Sequence, residues 1–313
     1  MKTIPYFLAG MIILALIFAV TPAKSMFNLA VSAEQKLAGL IVKTIKITEG
    51  EVSYLEGGSG ETLLLLHGFG ANKDNWNRMA MHLSSDYHII APDLPGFGDS
   101  FKNPDLDYDV PAQSRRLNEL ISALGLSQFH LAGNSMGGYI GGNYAADFPE
   151  RIISLWLLDP LGVSSAPDSE MFTMISEKQR PAVLASNRDE YTNLLSFVFH
   201  QPPFMPDFII DELSNQATAN FSLNEKIFED IHHSADFKVN FTSPLDTQLK
   251  GFSKPVLITW GDKDRVLHSQ GARELAAIMP NTQIHLMKNI GHLPMLEAPK
   301  ETAQQFIKFD EAK

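Results

Sequence analysis

The chain has no cysteine among its 313 residues. That excludes a thiol nucleophile, thiolate metal ligands, disulfides and cysteine lipidation, including a lipoprotein anchor. Positive charge is also scarce. Lys and Arg number 25 against 36 Asp and Glu, a formal net charge of −11. A chain this acidic lacks the electrostatic footprint of a nucleic-acid binder, so no nucleic-acid partner is expected. Internal repeats and low-complexity tracts are missing too, which sets aside solenoids and long disordered linkers. What remains is a globular composition, 44% apolar and 19% charged, with 21 Gly and 18 Pro. The length suits one large α/β domain or two ordinary ones, and either can bury a substantial core.

The first 25 residues read as a membrane anchor or a signal segment. Ile4 to Val20 are apolar or nearly so. As a helix they would span roughly 26 Å, just short of a ~30 Å hydrocarbon core. The run exceeds the usual apolar core of a cleaved signal, yet small residues at Thr21, Ala23 and Ser25 could admit a signal peptidase. Lys2 and the α-amine favour a cytoplasmic N-terminus, which would put the rest of the chain on the outer, periplasmic or extracellular side. Leu37, Leu40 and Ile41 then follow on a short amphipathic stretch, read as a cap on the domain or a surface lying on the membrane.

From there strand and helix alternate. Val52–Leu55, Thr62–Leu66, His88–Ala91, Phe129–Ala132, Ile152–Leu158, Val256–Trp260 and Ile284–Met287 are short apolar runs bounded by turn residues. The run LLLL is apolar on both faces, as a strand covered by helices on both sides requires. Leu117, Leu120, Ile121 and Leu124 fall on one helical face. This pattern predicts a mostly parallel central sheet flanked by helices. Residues 164–244 break it with helical patterns, Pro clusters and nine of the twenty Phe. A helical insertion between sheet strands reads as a cap over the sheet edge where ligands bind in such folds. Most of these Phe are expected in the cap's own core, a few in an apolar pocket. The division is then a leader (1–25), a first core part (26–163), the cap (164–244) and a second core part (245–313).

Three places carry chemistry. Gly133-Asn134-Ser135-Met136-Gly137 is a G-x-S-x-G, weak alone, but it directly follows the strand FHLA and opens a helix. That is the setting of a nucleophile elbow, where a sharp turn exposes the Ser135 hydroxyl. A serine hydroxyl needs a neighbouring base. Among ten His, His292 in NIGHLPMLEAP lies in the loop after the last strand run and follows Ser135 in the order such sites require. His67 in HGFG is expected to shape its loop, and His232 and His233 to be exposed cap residues. The imidazole needs a carboxylate to orient it. Asp264 in WGDKD, just past PVLITW, is favoured, with Asp159 at the end of ISLWLLDP a real rival. The amides of Phe69 and Met136 are candidate donors to a developing oxyanion. Asp93 and Ser100 in PDLPGFGDS read as a structural turn. This chemistry asks for no metal and no organic cofactor.

HGFGANKDNW, PDLPGFGDS, GNSMGG, WGDKD and GHLPMLEAP, in this order, resemble the α/β-hydrolase superfamily from about residue 45 to the C-terminus. Within it the string is similar to serine lipases and esterases, the cold-active bacterial lipases and membrane-bound monoacylglycerol lipases. The resemblance implies Ser135 as nucleophile, Asp264 as acid, His292 as base, Phe69 and Met136 as oxyanion hole, and a lipid ester as substrate. GNSMGG also resembles the carbon–carbon bond hydrolases of aromatic degradation. Those usually carry a Gly-Pro-rich oxyanion loop and a Trp after the histidine, where this chain has HGFGAN and Leu293. A ligand-binding protein on a catalytically dead hydrolase fold is the remaining alternative.

Overall fold

The computed structural model describes residues 22–234 and 237–312. The apolar run at 4–20 lies outside them. Among the described residues no helix is long and apolar enough to cross a membrane. The first helix, α1 (Ala23–Leu37), runs straight through position 25, where the sequence reading ended the leader.

Eight strands form one sheet: β1 (Leu40–Lys46), β2 (Glu51–Gly58), β3 (Glu61–Leu66), β4 (Tyr87–Pro92), β5 (Phe129–Asn134), β6 (Ile152–Leu158), β7 (Val256–Gly261) and β8 (Thr282–Met287). Their order is β1-β2-β4-β3-β5-β6-β7-β8. Only the β1–β2 and β2–β4 pairs are antiparallel. The sequence reading missed β1, because Lys43, Thr44 and Lys46 break the apolar pattern after Val42 on an edge strand that is mostly exposed. The amphipathic stretch at Leu37–Ile41 is likewise corrected: the helix ends at Leu37, and Leu40 and Ile41 open β1 on opposite faces, one buried and one exposed.

The period-two geometry of β3 divides the core. Leu64 and Leu66 face α3 (Val110–Ala123) and α4 (Met136–Asp147), while Leu63 and Leu65 face α2 (Asn77–Ala80) and the C-terminal helix, α12 (Pro299–Glu311). On the second side Trp156 stacks on Phe306 with ring centroids 4.8 Å apart. Its indole N–H donates to Thr259 Oγ1 at 2.9 Å, satisfying the one polar atom that a buried Trp brings.

Between β6 and β7 the described chain holds helices and no strand: α5 (Glu170–Ser176), α6 (Arg188–Val198), α7 (Asp207–Ala219), α8 (Phe221–His232) and α9 (Leu245–Gln248). After β7 come α10 (Gly271–Ile278) and, beyond β8, α11 (Pro294–Glu297). Asp93 and Ser100 do build a turn. Asp93 is fully buried and accepts from Lys73 Nζ, Lys73 N and Asp99 N, each at 2.7 Å. Ser100 Oγ donates to the Asp93 carbonyl and accepts from Ser53 N.

The close seating of α4 on β3 and β5 sets the position of everything downstream. A Cβ on Gly137 would lie 2.2 Å from the Leu66 carbonyl oxygen, a backbone atom that cannot swing away. A Cβ on Gly141, one turn on, would meet side chains alone, Leu66 at 3.3 Å and Leu131 at 3.6 Å. Gly137→Ala is therefore expected to cost about 1–3 kcal/mol by overpacking, with loss of activity as α4 shifts. Gly141→Ala, where helix propensity offsets a mild contact, should stay within about 1 kcal/mol of the parent. Urea unfolding midpoints of the two variants check this.

Candidate active site

Ser135 stands between β5 and α4 with φ 52° and ψ −118°, a backbone conformation few non-glycine residues adopt. Its own backbone bonds hold it there: Ser135 N donates to Leu158 O and Leu161 N to Ser135 O, both at 3.0 Å. The strain is thus absorbed between the ends of two neighbouring strands. The side chain ends up at the N-terminus of α4, where the unpaired amides of a first helical turn favour developing negative charge.

His292 sits in the loop between β8 and α11. Its Nδ1 lies 2.8 Å from Asp264 Oδ2. Asp264 follows β7, and its carboxylate accepts from Val266 N at 2.8 Å and Leu267 N at 3.0 Å through Oδ1, and from the Trp260 indole at 3.1 Å through Oδ2. Three donors besides the imidazole fix the carboxylate facing Nδ1, so Nε2 is the ring nitrogen left pointing away from it. Asp159, the rival, is fully buried at φ 44° and accepts from Gly261 N at 2.9 Å. Its carboxylate lies against Asp264: one oxygen of each and an imidazole nitrogen of His292 fall within 4.8 Å of one another. Burial first, and then the Asp264 charge, push the Asp159 carboxyl well above the ordinary range.

Ser135 and His292 line one cavity of about 230 Å³, with the HGFG loop on its rim. Among the described residues no hydrogen bond joins the Ser135 hydroxyl to the imidazole, and such bonds tighten in complexes. Asn134 links their loops, donating from Nδ2 to Leu158 O and His292 O. The Phe69 and Met136 amides donate to no protein acceptor among the described residues. Gly68 packs so near the elbow that a Cβ there would touch Ser135 Cβ at 3.2 Å. His67 shapes this loop from within, its Nδ1 2.8 Å from Gly68 O and its Nε2 accepting from Leu94 N at 2.9 Å. The site is therefore a buried imidazole–carboxylate pair beside a strained hydroxyl, with free amides above it.

Among the described residues two clusters have metal-ligand residue types, Asp159–Asp264–His292 and Glu61–His130–Asp310. The donors around Asp264 are N–H groups, a surrounding suited to an anion. The second cluster lies at the opposite end of the sheet, at the starts of β3 and β5.

The cavity wall corrects two expectations. Of the nine cap Phe only Phe199 lines it; the cap's contribution is chiefly aliphatic and sulfur-containing, such as Leu194, Leu195, Met205 and Leu213. Phe197 and Phe228 are buried where the cap meets the core, Phe228 against Phe69 and Phe197 under Arg265, and Phe204 is 88% exposed. His232 is not an exposed cap residue either. It is buried, lines the cavity, and stacks on Phe228 with centroids 3.9 Å apart. Sequence reasoning also missed a polar wall of Asn72, Asn75, Gln216, Asn220 and Asn224. Amides scattered over two distant segments carry no motif. Glu297 was missed as well: its carboxylate accepts from Gly291 N, His200 N and Gln201 N, pinning the His292 loop to the cap.

A mostly parallel sheet with a strained serine turn at its C-terminal edge and an imidazole–carboxylate pair alongside defines an α/β hydrolase. The chain matches the family described as alpha/beta hydrolase fold over residues 61–299 and belongs to it. Over 295 residues it is 37% identical to Lipase 1 of Psychrobacter immobilis, covering 90% of each chain. It is 29% identical over 260 residues to a monoacylglycerol lipase of Bos taurus, covering 80% of this chain and 76% of that one. A solved membrane phospholipase A, described as a bacterial virulence factor, is similar with a TM-score of 0.88 at 37% identity over 98% of each chain.

Burial holds His232 neutral and pushes its pKa down from 6.5 to about 4, with His233 adding to the effect and the Phe228 carbonyl opposing it. Between those values the unfolded chain binds a proton that the native chain does not, so stability falls as pH drops from about 6.5 to about 4. His232→Phe, which keeps the stack, should flatten that part of the dependence. Urea midpoints of both proteins at pH values across the window check this.

Proposed function

We propose that this chain hydrolyses carboxylic esters of lipids, acylglycerols or similar compounds, through an acyl-enzyme on Ser135. The observation that carries the reading is the Asp264–His292 hydrogen bond beside a strained serine in an apolar cavity. The Ser135 oxygen attacks the ester carbonyl carbon while its proton passes to His292 Nε2. Asp264 keeps the imidazole in the tautomer that makes Nε2 basic and stabilises the imidazolium. The amides of Phe69 and Met136 receive the negative charge of the tetrahedral intermediate. Collapse expels the alcohol, which takes the proton from Nε2. Water, deprotonated by the same nitrogen, then cleaves the acyl-enzyme to the acid and free Ser135.

The relatives' activity supports the lipid substrate class, and the apolar wall supplies its physical basis. A second groove of about 790 Å³ runs between α1 and α7 and shares Met205, Leu213 and Leu296 with the first cavity, so a long acyl chain has room to extend. The apolar run at 4–20 ahead of α1 supports attachment to a membrane, or export, with the hydrolase unit on the outer side. The carbon–carbon bond hydrolase reading is the less supported one, because the relative at 37% identity over 90% of this chain is a lipase.

Ser135→Ala should lower turnover of p-nitrophenyl esters by at least about 10³-fold and abolish labelling by a serine-directed phosphonate. Retained turnover would sink the serine mechanism. Across an ester series from acetate to decanoate, kcat/KM should rise about fourfold per methylene until the cavity is filled, from ~0.8 kcal/mol per buried CH₂. A flat profile contradicts the apolar acyl site.

A further inference from the structure

Asp159 is a buried carboxyl at the catalytic site that the mechanism leaves unused. It follows β6 directly, and its backbone N–H donates to Thr259 O at 2.9 Å across to β7. Its φ is 44°, in the left-handed region, and its side chain lies at the site, against Asp264 and His292. Oδ1 accepts from Gly261 N at 2.9 Å. Oδ2 is buried and meets no donor among the described residues. Among the described residues no Lys or Arg pairs with it. The titratable groups that face it are Asp264, His292 and Glu297.

Two buried carboxylates this close, sharing one imidazole and no fixed cation, cannot both ionise. The donors decide which one does. Asp264 accepts from two backbone amides, an indole and the imidazole. Asp159 accepts from one amide. We infer that Asp159 is a positioning residue: it keeps its proton on Oδ2 and donates it to the Asp264 carboxylate, so that the acid end of the site carries one negative charge instead of two. The burial of the Asp159 carboxyl, which favours its neutral form, agrees with this.

The consequence falls on His292. A single charge, held in one rotamer by a fifth donor, orients the imidazole and still lets Nε2 return its proton to the leaving alcohol. A doubly charged pair would hold the imidazolium more tightly and raise the pH at which the base becomes neutral. The inference rests on the ester-hydrolase reading for its kinetic consequences, not for its protonation state.

Two variants and one spectrum test it. Asp159→Asn keeps the shape, with an amide N–H in place of the acid O–H. It should hold kcat within about threefold and leave the acidic limb of kcat/KM within about 0.3 pH unit of the parent. Asp159→Ala, shown to be folded by near-UV circular dichroism, loses the donor and should lower kcat about tenfold with KM little changed. Infrared difference spectra at neutral pH should show the carbonyl band of a buried protonated acid that disappears in Asp159→Asn. An acidic limb that moves down by about one unit or more in Asp159→Asn overturns the proposal, because a charge was then removed. So does a parent spectrum without the band, or a folded Asp159→Ala with parental kcat. The infrared result stands even if Ser135 proves not to be the nucleophile, so the two readings fail separately.

Discussion

The sharp turn at Ser135 is the constraint around which the rest of the molecule is arranged. A side chain at φ 52° is tolerated only where the surroundings over-determine it. Here Leu158 O and Leu161 N clamp the residue from the β6 side, while glycines at 133 and 137 let β5 and α4 close to backbone contact. Widening that contact would relax the strain and withdraw the hydroxyl from the cavity. The buried leucines of β3 and β5 make widening costly, since α4 would lose its apolar footing on the sheet. Stability of the core and exposure of one oxygen are thus the same physical fact.

A second dependency links the cap to the chemistry. The His292 loop is not held by the sheet alone. Its amide donates to Val198 O at the end of α6, and Glu297 gathers three amides from both sides of the boundary. Arg265, one residue past Asp264, pairs with Glu170 of α5 at 2.7 Å. Imidazole, carboxylate and cap therefore share a polar seam. Displacement of the cap would be felt first at the imidazole, because the hydrogen bonds of that seam are short and directional while the cavity's apolar wall is not.

Much of this was legible in the residue order. LLLL, FHLA and PVLITW are apolar on both faces, and only a sheet covered by helices on both sides buries such strands. The Gly-x-Ser-x-Gly turn stood between a strand and a helix, so the setting of Ser135 could be read before any distance was known. Strand β1 could not, since an exposed edge leaves no periodic apolar signal. His232 was misjudged for a related reason. Next to a second histidine near a helix end it looked solvated, and only the stacking face of Phe228 makes it a core residue.

Residue order by itself determined the class of fold and the chemical types present at the strand ends, because both follow from short-range rules: the period of apolar residues, and the small side chains that a tight strand-to-helix turn demands. What the tertiary structure alone decided is which groups meet. Asp159 and Asp264 are 105 positions apart and were rivals on paper, with Asp264 favoured; the register of β6 against β7 puts both at one imidazole and directs Nδ1 to Asp264. The aliphatic cavity wall was likewise a tertiary outcome, since its residues come from segments whose spacing carries no period. Contacts between distant segments depend on packing across the sheet, and no local pattern encodes that.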